Sequence, residues 1–200
     1  MKRSIILAVV AVMSVMGVKA QSDEPQNELS ISYGLGLTMI GDGIGHGIGE
    51  GIFDGILGRK WTNDKQFGTL GIEYFRHLDN PKVAVGGIFT YAQYGEDVEA
   101  NSVKIGERTR RYISVMPSLK YYYINKKSFG LYSKAAVGGM LLSSSSKDTK
   151  NGRDESNSKF YLTFQASLIG LEAGSNNLRG FIEAGVGDQG IVLAGVRCRF

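Results

Sequence analysis

The stretch Gly190-Ile-Val-Leu-Ala-Gly-Val-Arg-Cys-Arg-Phe200 decides the fold. Counting back from Phe200, every second residue is apolar (Phe200, Cys198, Val196, Ala194, Val192), and Arg199, Arg197 and Gly195 fall between them. Successive side chains of a β-strand point to opposite faces, so this segment has one apolar face and one polar or small face. Such a strand lies between two different media.

The same alternation recurs upstream. Leu29, Ile31, Tyr33, Leu35, Leu37 and Met39 alternate with Ser30, Ser32, Gly34, Gly36 and Thr38. That run spans 11 residues, and about 9 to 11 is the length a tilted strand needs to cross the hydrocarbon of a bilayer. Further period-two segments centre on Ile72, Phe89, Leu119, Val137, Phe164 and Ala184, and with the first and last they predict eight strands. Connections alternate in length. Those at 77–82, 124–127 and 174–178 are short and rich in turn residues, whereas 41–66, 95–110 and 142–158 are long and polar, and Gly187-Asp-Gln-Gly190 is short again. Tight turns at one rim and longer loops at the other are the pattern of a membrane-spanning barrel. Tyr74, Tyr121, Tyr123, Phe129 and Phe200 are expected at the turn-side interface, and Phe67, Tyr91, Tyr112 and Phe160 at the loop side. Pro117 lacks an N–H for the ladder and predicts a bulge or a missing bond.

From Leu29 to Phe200 the chain resembles the small eight-stranded outer-membrane barrels of bacteria, the OmpX and OmpA membrane-domain type. The resemblance implies an all-β, eight-stranded antiparallel up-and-down transmembrane β-barrel over residues 29–200, in the outer membrane of a Gram-negative bacterium. It implies contact with outer-membrane lipids and lipopolysaccharide. It also implies that Val192, Ala194, Val196, Cys198 and Phe200 form the C-terminal signal read by the barrel-assembly machinery. An extracellular partner is left unidentified, because a resemblance of architecture ranks functions weakly.

The beginning of the chain fits an exported protein. Met1-Lys2-Arg3 is basic, Ile5 to Val18 is a nearly unbroken apolar run, and Val18-Lys19-Ala20 offers small residues for cleavage, which predicts a signal peptide over residues 1–20 and a periplasmic spacer over 21–28. Its removal takes the basic count from 23 to 20 against 19 acids, so the sequence pI is no nucleic-acid footprint. Composition alone, 42% hydrophobic and 21% charged, would suit a soluble domain. Cys198 is the one cysteine, which excludes an internal disulfide.

Glu73, Lys120, Lys134, Glu183, Arg197 and Arg199 fall on the face opposite the apolar one, together with Gln165, Tyr122 and Tyr132. Ionised groups inside a narrow barrel must pair or hydrate, which predicts a cross-lumen charge network, for example Glu183 with Arg197. Eight strands leave an interior that side chains fill. The expectation is therefore a plugged polar lumen with a structural or surface-interaction role, the alternatives being a narrow pore for small solutes or a lipid-modifying enzyme.

The run Gly41 to Gly58 repeats with period four, placing Asp42, His46, Glu50 and Asp54 in one series and Ile44, Ile48, Ile52 and Ile56 in another. It is compatible with an irregular loop, a helical turn over the barrel mouth, or extended structure; on a helix Asp42, His46 and Glu50 would converge. A solvated stripe is the simpler reading, and no metal, cofactor or catalytic residue is expected. His46 and His77 fall at opposite rims, which gives a hydrolase no nucleophile and base in reach of each other.

Overall fold

A computed structural model of the chain describes residues 25–35, 65–100, 103–148 and 154–200. The expected signal peptide, residues 21–24 of the spacer, and the Gly41–Gly58 run with His46 lie outside the described residues. Eight strands follow one another: β1 (Asn27–Leu35), β2 (Lys65–His77), β3 (Val83–Ala100), β4 (Val103–Asn125), β5 (Phe129–Asp148), β6 (Asp154–Gly174), β7 (Leu178–Gly187) and β8 (Val192–Arg199). Each pairs antiparallel with its sequence neighbours, and β8 returns to β1, so the sheet closes into a barrel.

The polarity of that barrel is the reverse of a water-soluble protein. Ile72, Val115, Leu119, Val137, Leu162, Leu168 and Ile182 are exposed on the outside, whereas Glu73, Lys120, Lys134, Gln165, Glu183 and Arg197 are buried within. On β4 the outward series Ile113, Val115, Pro117, Leu119, Tyr121 and Tyr123 covers ten residues of rise. At about 3.3 Å per residue and a tilt near 40°, that is a band roughly 25 Å tall, the thickness of hydrocarbon a membrane barrel spans. The turn-side aromatics Tyr74, Tyr121, Tyr123 and Phe129 lie on this outer surface, as does Phe160 at the other end. Tyr112 does not. It shares the parity of Ser114 and Met116 and points inward, 6% exposed, so its assignment to the outer belt is corrected by the alternation of its own strand.

Pro117 interrupts the ladder without shifting it. It pairs with Gly87 of β3, while the β4–β5 register passes from Val115↔Gly139 to Ser118↔Ala136 unchanged in phase. The bulges sit elsewhere: between Tyr122 and Ile124, between Tyr132 and Lys134 and between Ser167 and Ile169 toward the short-turn rim, and between Phe67 and Leu70 and between Val98 and Glu99 toward the other end.

Two of the expected loops are strands. Residues 95–110 continue β3 and β4 as a paired ribbon, with Glu96↔Arg108 and Ala100↔Val103 in register, and 142–158 continue β5 and β6 as far as Lys147↔Asp154. Runs of polar or small residues such as Gly95 to Asp97 and Ser143 to Asp148 carry no apolar alternation that would reveal a strand. By contrast, β7 stops pairing with β6 at Gln165↔Gly187, and the β1–β8 ladder ends at Leu35↔Val192. Among the described residues, β3 to β6 therefore extend beyond the other strands as a four-stranded sheet.

Candidate functional site

The lumen is filled from the short-turn rim upward in layers. At the bottom, β1 begins at Asn27, two residues before the expected boundary, and this brings Glu28 onto the inner face with no solvent exposure. Its carboxylate accepts from Lys120 Nζ at 2.7 Å and Tyr122 Oη at 2.9 Å, and His77 Nε2 and Arg199 Nε lie 2.7 and 3.3 Å from it. His77 Nδ1 lies 3.3 Å from the Pro81 carbonyl. With both ring nitrogens engaged this way, His77 is a structural partner of Glu28 and is not placed to take a proton from a nucleophile.

Beside it, Arg179 ties two turns together. Its Nη2 donates to the carbonyls of Lys126 (2.7 Å) and Lys127 (2.9 Å), its Nε to Ser175 O (3.2 Å), and its Nη1 to Glu172 (2.5 Å). Glu172 also pairs with Arg197, the central cation of the barrel. Arg197 is fully buried, and its guanidinium lies 4.3 Å from the Phe181 ring centroid and 5.0 Å from that of Tyr132. It faces Glu28, Glu73 and Glu183 at 3.5, 3.7 and 3.8 Å. A planar guanidinium suits that position because it accepts ion pairs at its edge and rings on its faces. Lys120 likewise stands 3.9 Å over the Phe75 ring.

In the next layer Lys134 bridges Glu73 (2.6 Å) and Glu183 (2.7 Å). Glu183 accepts from Tyr132 Oη (2.7 Å) and Ser167 Oγ (2.6 Å), so its nearest partners are these rather than Arg197. Large inward side chains lie over glycines of the neighbouring strand, Tyr132 over Gly170 and Phe181 over Gly195, where an added Cβ would come within 2.5 and 2.7 Å of the rings. The six residues expected to line the lumen thus all sit inside, and Glu28, Glu172, Arg179, His77 and Asp188 join them without having been identified from sequence.

Above this layer the β7–β8 connection folds back into the barrel. Asp188 and Gln189 are 3% and 1% exposed. Gln189 Oε1 accepts from Lys134 Nζ (3.0 Å), its Nε2 donates to Glu73 (2.9 Å), and its backbone N–H donates to Gln165 Oε1 (2.8 Å). Gly187 and Gly190, with φ of 135° and 105°, supply the left-handed geometry that this inward bend requires. Gly34 and Gly71 make room for it, since a Cβ at Gly34 would stand 1.7 Å from the Gln189 carbonyl oxygen. Over the bend, Ala92, Tyr112, Met140 and Leu142 form an apolar layer, with Tyr94 and Tyr161 packed against it.

On the outside, Val192, Ala194 and Val196 are exposed, and Cys198 and Phe200 are half-buried on the same face. Phe200 exchanges backbone hydrogen bonds of 2.8 and 2.9 Å with Asn27 at the closing seam. Just above the apolar band, Gln93, Arg111, Ser143 and Ser158 form one outward row across four strands, directly over the row Tyr91, Ile113, Leu141 and Phe160.

Solved structures share this architecture. The chain aligns with Ail, the attachment invasion locus protein of Yersinia pestis, in its crystal structure with the heparin analogue sucrose octasulfate, at 19% identity and a TM-score of 0.50 over 88% of this chain and 99% of that one. A second crystal structure of Ail aligns at 18% identity and a TM-score of 0.48 over the same shares. At that identity the likeness is one of fold. No protein-family model matches the sequence, and no curated protein sequence matches it.

Proposed function

We propose that this chain is an integral outer-membrane barrel of a Gram-negative bacterium whose lumen is a plugged structural core and whose work is done outside the membrane, by the four-stranded sheet of β3 to β6. The register of β6 carries the reading. Among the described residues, nothing pairs with β6 on its β7 side from Asp154 to Thr163. The Phe164 carbonyl accepts from Asp188 N on that side, so the even-numbered residues Ser158, Phe160 and Leu162 aim both backbone groups at the open edge. An unpaired edge is a template for an added strand from another protein. The partner is thus an extended polypeptide held by main-chain hydrogen bonds.

The other elements support this division of labour. An apolar outer band of bilayer height has no role in water, and a lumen crossed by Arg197, Lys134 and four glutamates has its interior occupied by paired charge. Lipopolysaccharide and outer-leaflet lipid are the neighbours that Arg111 and its polar row would meet, and β8 is the strand offered to the assembly machinery. The attachment role in the name of Ail belongs to that protein, and it agrees with a display function here.

Ser158→Pro tests the reading, because it removes an N–H aimed at the open edge and takes no bond from the β5 ladder. Cells displaying the wild-type chain are expected to retain proteins from a serum or matrix panel. The variant is expected to lose that retention while keeping heat-modifiable migration on gels. Equal retention by the variant would show that the β6 edge is not the binding element. Stable ohmic conductance of the wild-type protein in planar bilayers, sensitive to substitution of Glu183 or Arg197, would instead establish the narrow pore.

A further inference from the structure

The chemistry around Asp188 differs from that of every other buried acid in the lumen. Glu28, Glu73, Glu172 and Glu183 each meet a lysine or arginine. Asp188 meets hydroxyls. Thr90 Oγ1 donates to its Oδ2 at 2.5 Å and Thr163 Oγ1 to its Oδ1 at 3.4 Å, while Thr69 Oγ1 lies 3.4 Å from its backbone carbonyl. The Ser114 hydroxyl beside the same carboxylate is fully buried and has no geometrically sound hydrogen-bond partner. The residue's own N–H donates to Phe164 O, so the bend is anchored by its backbone while its side chain sits in a pocket of alcohols.

We propose that Asp188 is a proton-binding site, and that the proton held there locks the β7–β8 connection into the lumen. A carboxylate taken out of water without a cation is favoured in its neutral form, which needs only the donors and acceptors that hydroxyls supply. As a neutral acid it donates one hydrogen bond and accepts others, and Thr90, Thr163 and Ser114 serve either role by rotating. The groups facing the site from each packed element fit this account. Strands β3, β4 and β6 contribute Thr90, Ser114 and Thr163, and β2 contributes Thr69. The nearest charges, Glu73 on β2 and Lys134 on β5, are paired with each other and reach the neighbouring Gln189 instead. Burial holds the Asp188 carboxyl above the usual carboxylate range, in agreement with this geometry.

The sign follows by linkage. The seated bend binds its proton more tightly than the released one, so seating is strongest below the ordinary aspartate pKa of about 3.9 and weakens as pH rises from there to the raised seated value. The lock is tight in acid and looser toward neutral and alkaline pH.

The test is amide hydrogen exchange by NMR on the full-length protein in phospholipid nanodiscs. The Gln189 amide, which donates to Gln165, reports the seat, and the Glu183 amide in mid-strand serves as control. After correction for intrinsic chemistry, wild-type Gln189 protection is expected to fall between pH 4 and pH 8 by about tenfold for each unit by which the seated pKa exceeds the free one. Asp188→Asn, which imitates the neutral acid, is expected to keep its protection across that range, and Glu183 protection is expected to stay constant in both. The wild-type Asp188 carboxyl-carbon resonance should titrate in step with the loss, which decides the matter even if the variant fails to fold. Protection independent of pH in the wild type, or protection that responds to sodium concentration at fixed pH, would overturn the proposal, the second by making the ligand a metal cation. Neither readout depends on whether the β6 edge binds a partner.

Discussion

The turn-side half of the lumen and its loop-side half are filled with opposite chemistry. Below, Arg197, Lys120, Lys134, Arg179 and Arg199 interleave with Glu28, Glu73, Glu172 and Glu183, and every one of these charges except Arg179 and Arg199 touches more than one of the opposite sign or an aromatic face. Above, the barrel is closed by the Asp188–Gln189 bend held by hydroxyls and amides, and then by Tyr112, Met140 and Leu142. The lower half is held by mutual dependence, because its charges share partners and removal of one leaves its neighbours with fewer counterions in low dielectric. The upper half is a chain segment seated in a fitted recess, which can leave without stranding charge.

That contrast predicts a graded response to substitution. Arg197→Met should have the largest effect, since it leaves Glu172 and its neighbours without their shared cation; breaking a buried pair costs about 3 to 5 kcal/mol, measured as the urea unfolding free energy in lipid vesicles. A loss below about 1 kcal/mol would mean that the lower half is not interdependent. Gly34→Val should come next. Its side chain would occupy the position of the Gln189 carbonyl, and overpacking of this kind costs about 1 to 3 kcal/mol. The effect should be confined to the upper half, with Gln189 amide protection lost and Glu183 protection retained. Arg111→Ala on the outer row should change unfolding free energy by no more than about 0.5 kcal/mol, as surface substitutions do. A larger loss in vesicles containing lipopolysaccharide than in phospholipid alone would identify Arg111 as a headgroup contact.

The comparison also separates what could be read from sequence from what could not. Parity along β4, β5 and β7 assigns Lys120, Lys134 and Glu183 to the inside because those strands alternate cleanly through the membrane band. Glu172 escapes the same count. Continued from Thr163, Gln165 and Ser167, alternation turns Leu171 inward and Glu172 toward lipid; the bulge between Ser167 and Ile169 reverses the phase. The usable signal was energetic, since a lone glutamate among lipid-facing residues is unfavourable enough to imply a bulge upstream. Arg179 directly follows the turn expected at 174–178, and the period-two segment centred on Ala184 does not reach back to it; Glu28 is hidden by a strand that starts early. The upper half was less legible throughout. Gly187-Asp-Gln-Gly190 has the composition of an ordinary surface turn, and only the two positive φ angles, invisible in sequence, turn it inward. The ribbons of β3 to β6 read as loops in the sequence because their pairing outside the membrane carries no hydrophobic period.

The seam between β1 and β8 has a kinetic consequence. Asn27 and Phe200 bond to each other across more than 170 intervening residues, whereas every other ladder joins strands adjacent in the chain. Closing a loop of that length costs about 4.5 kcal/mol of chain entropy on the (3/2)RT ln n scaling, and the seam has only the eight registered pairs from Glu28↔Arg199 to Leu35↔Val192 to offset it. Hairpins along the chain can form one after another as local events, but this junction is a single long-range search, and the central arginine reaches Glu28 only when it succeeds. The rate at which the barrel becomes a sealed object is therefore set at the place where its first and last strands meet.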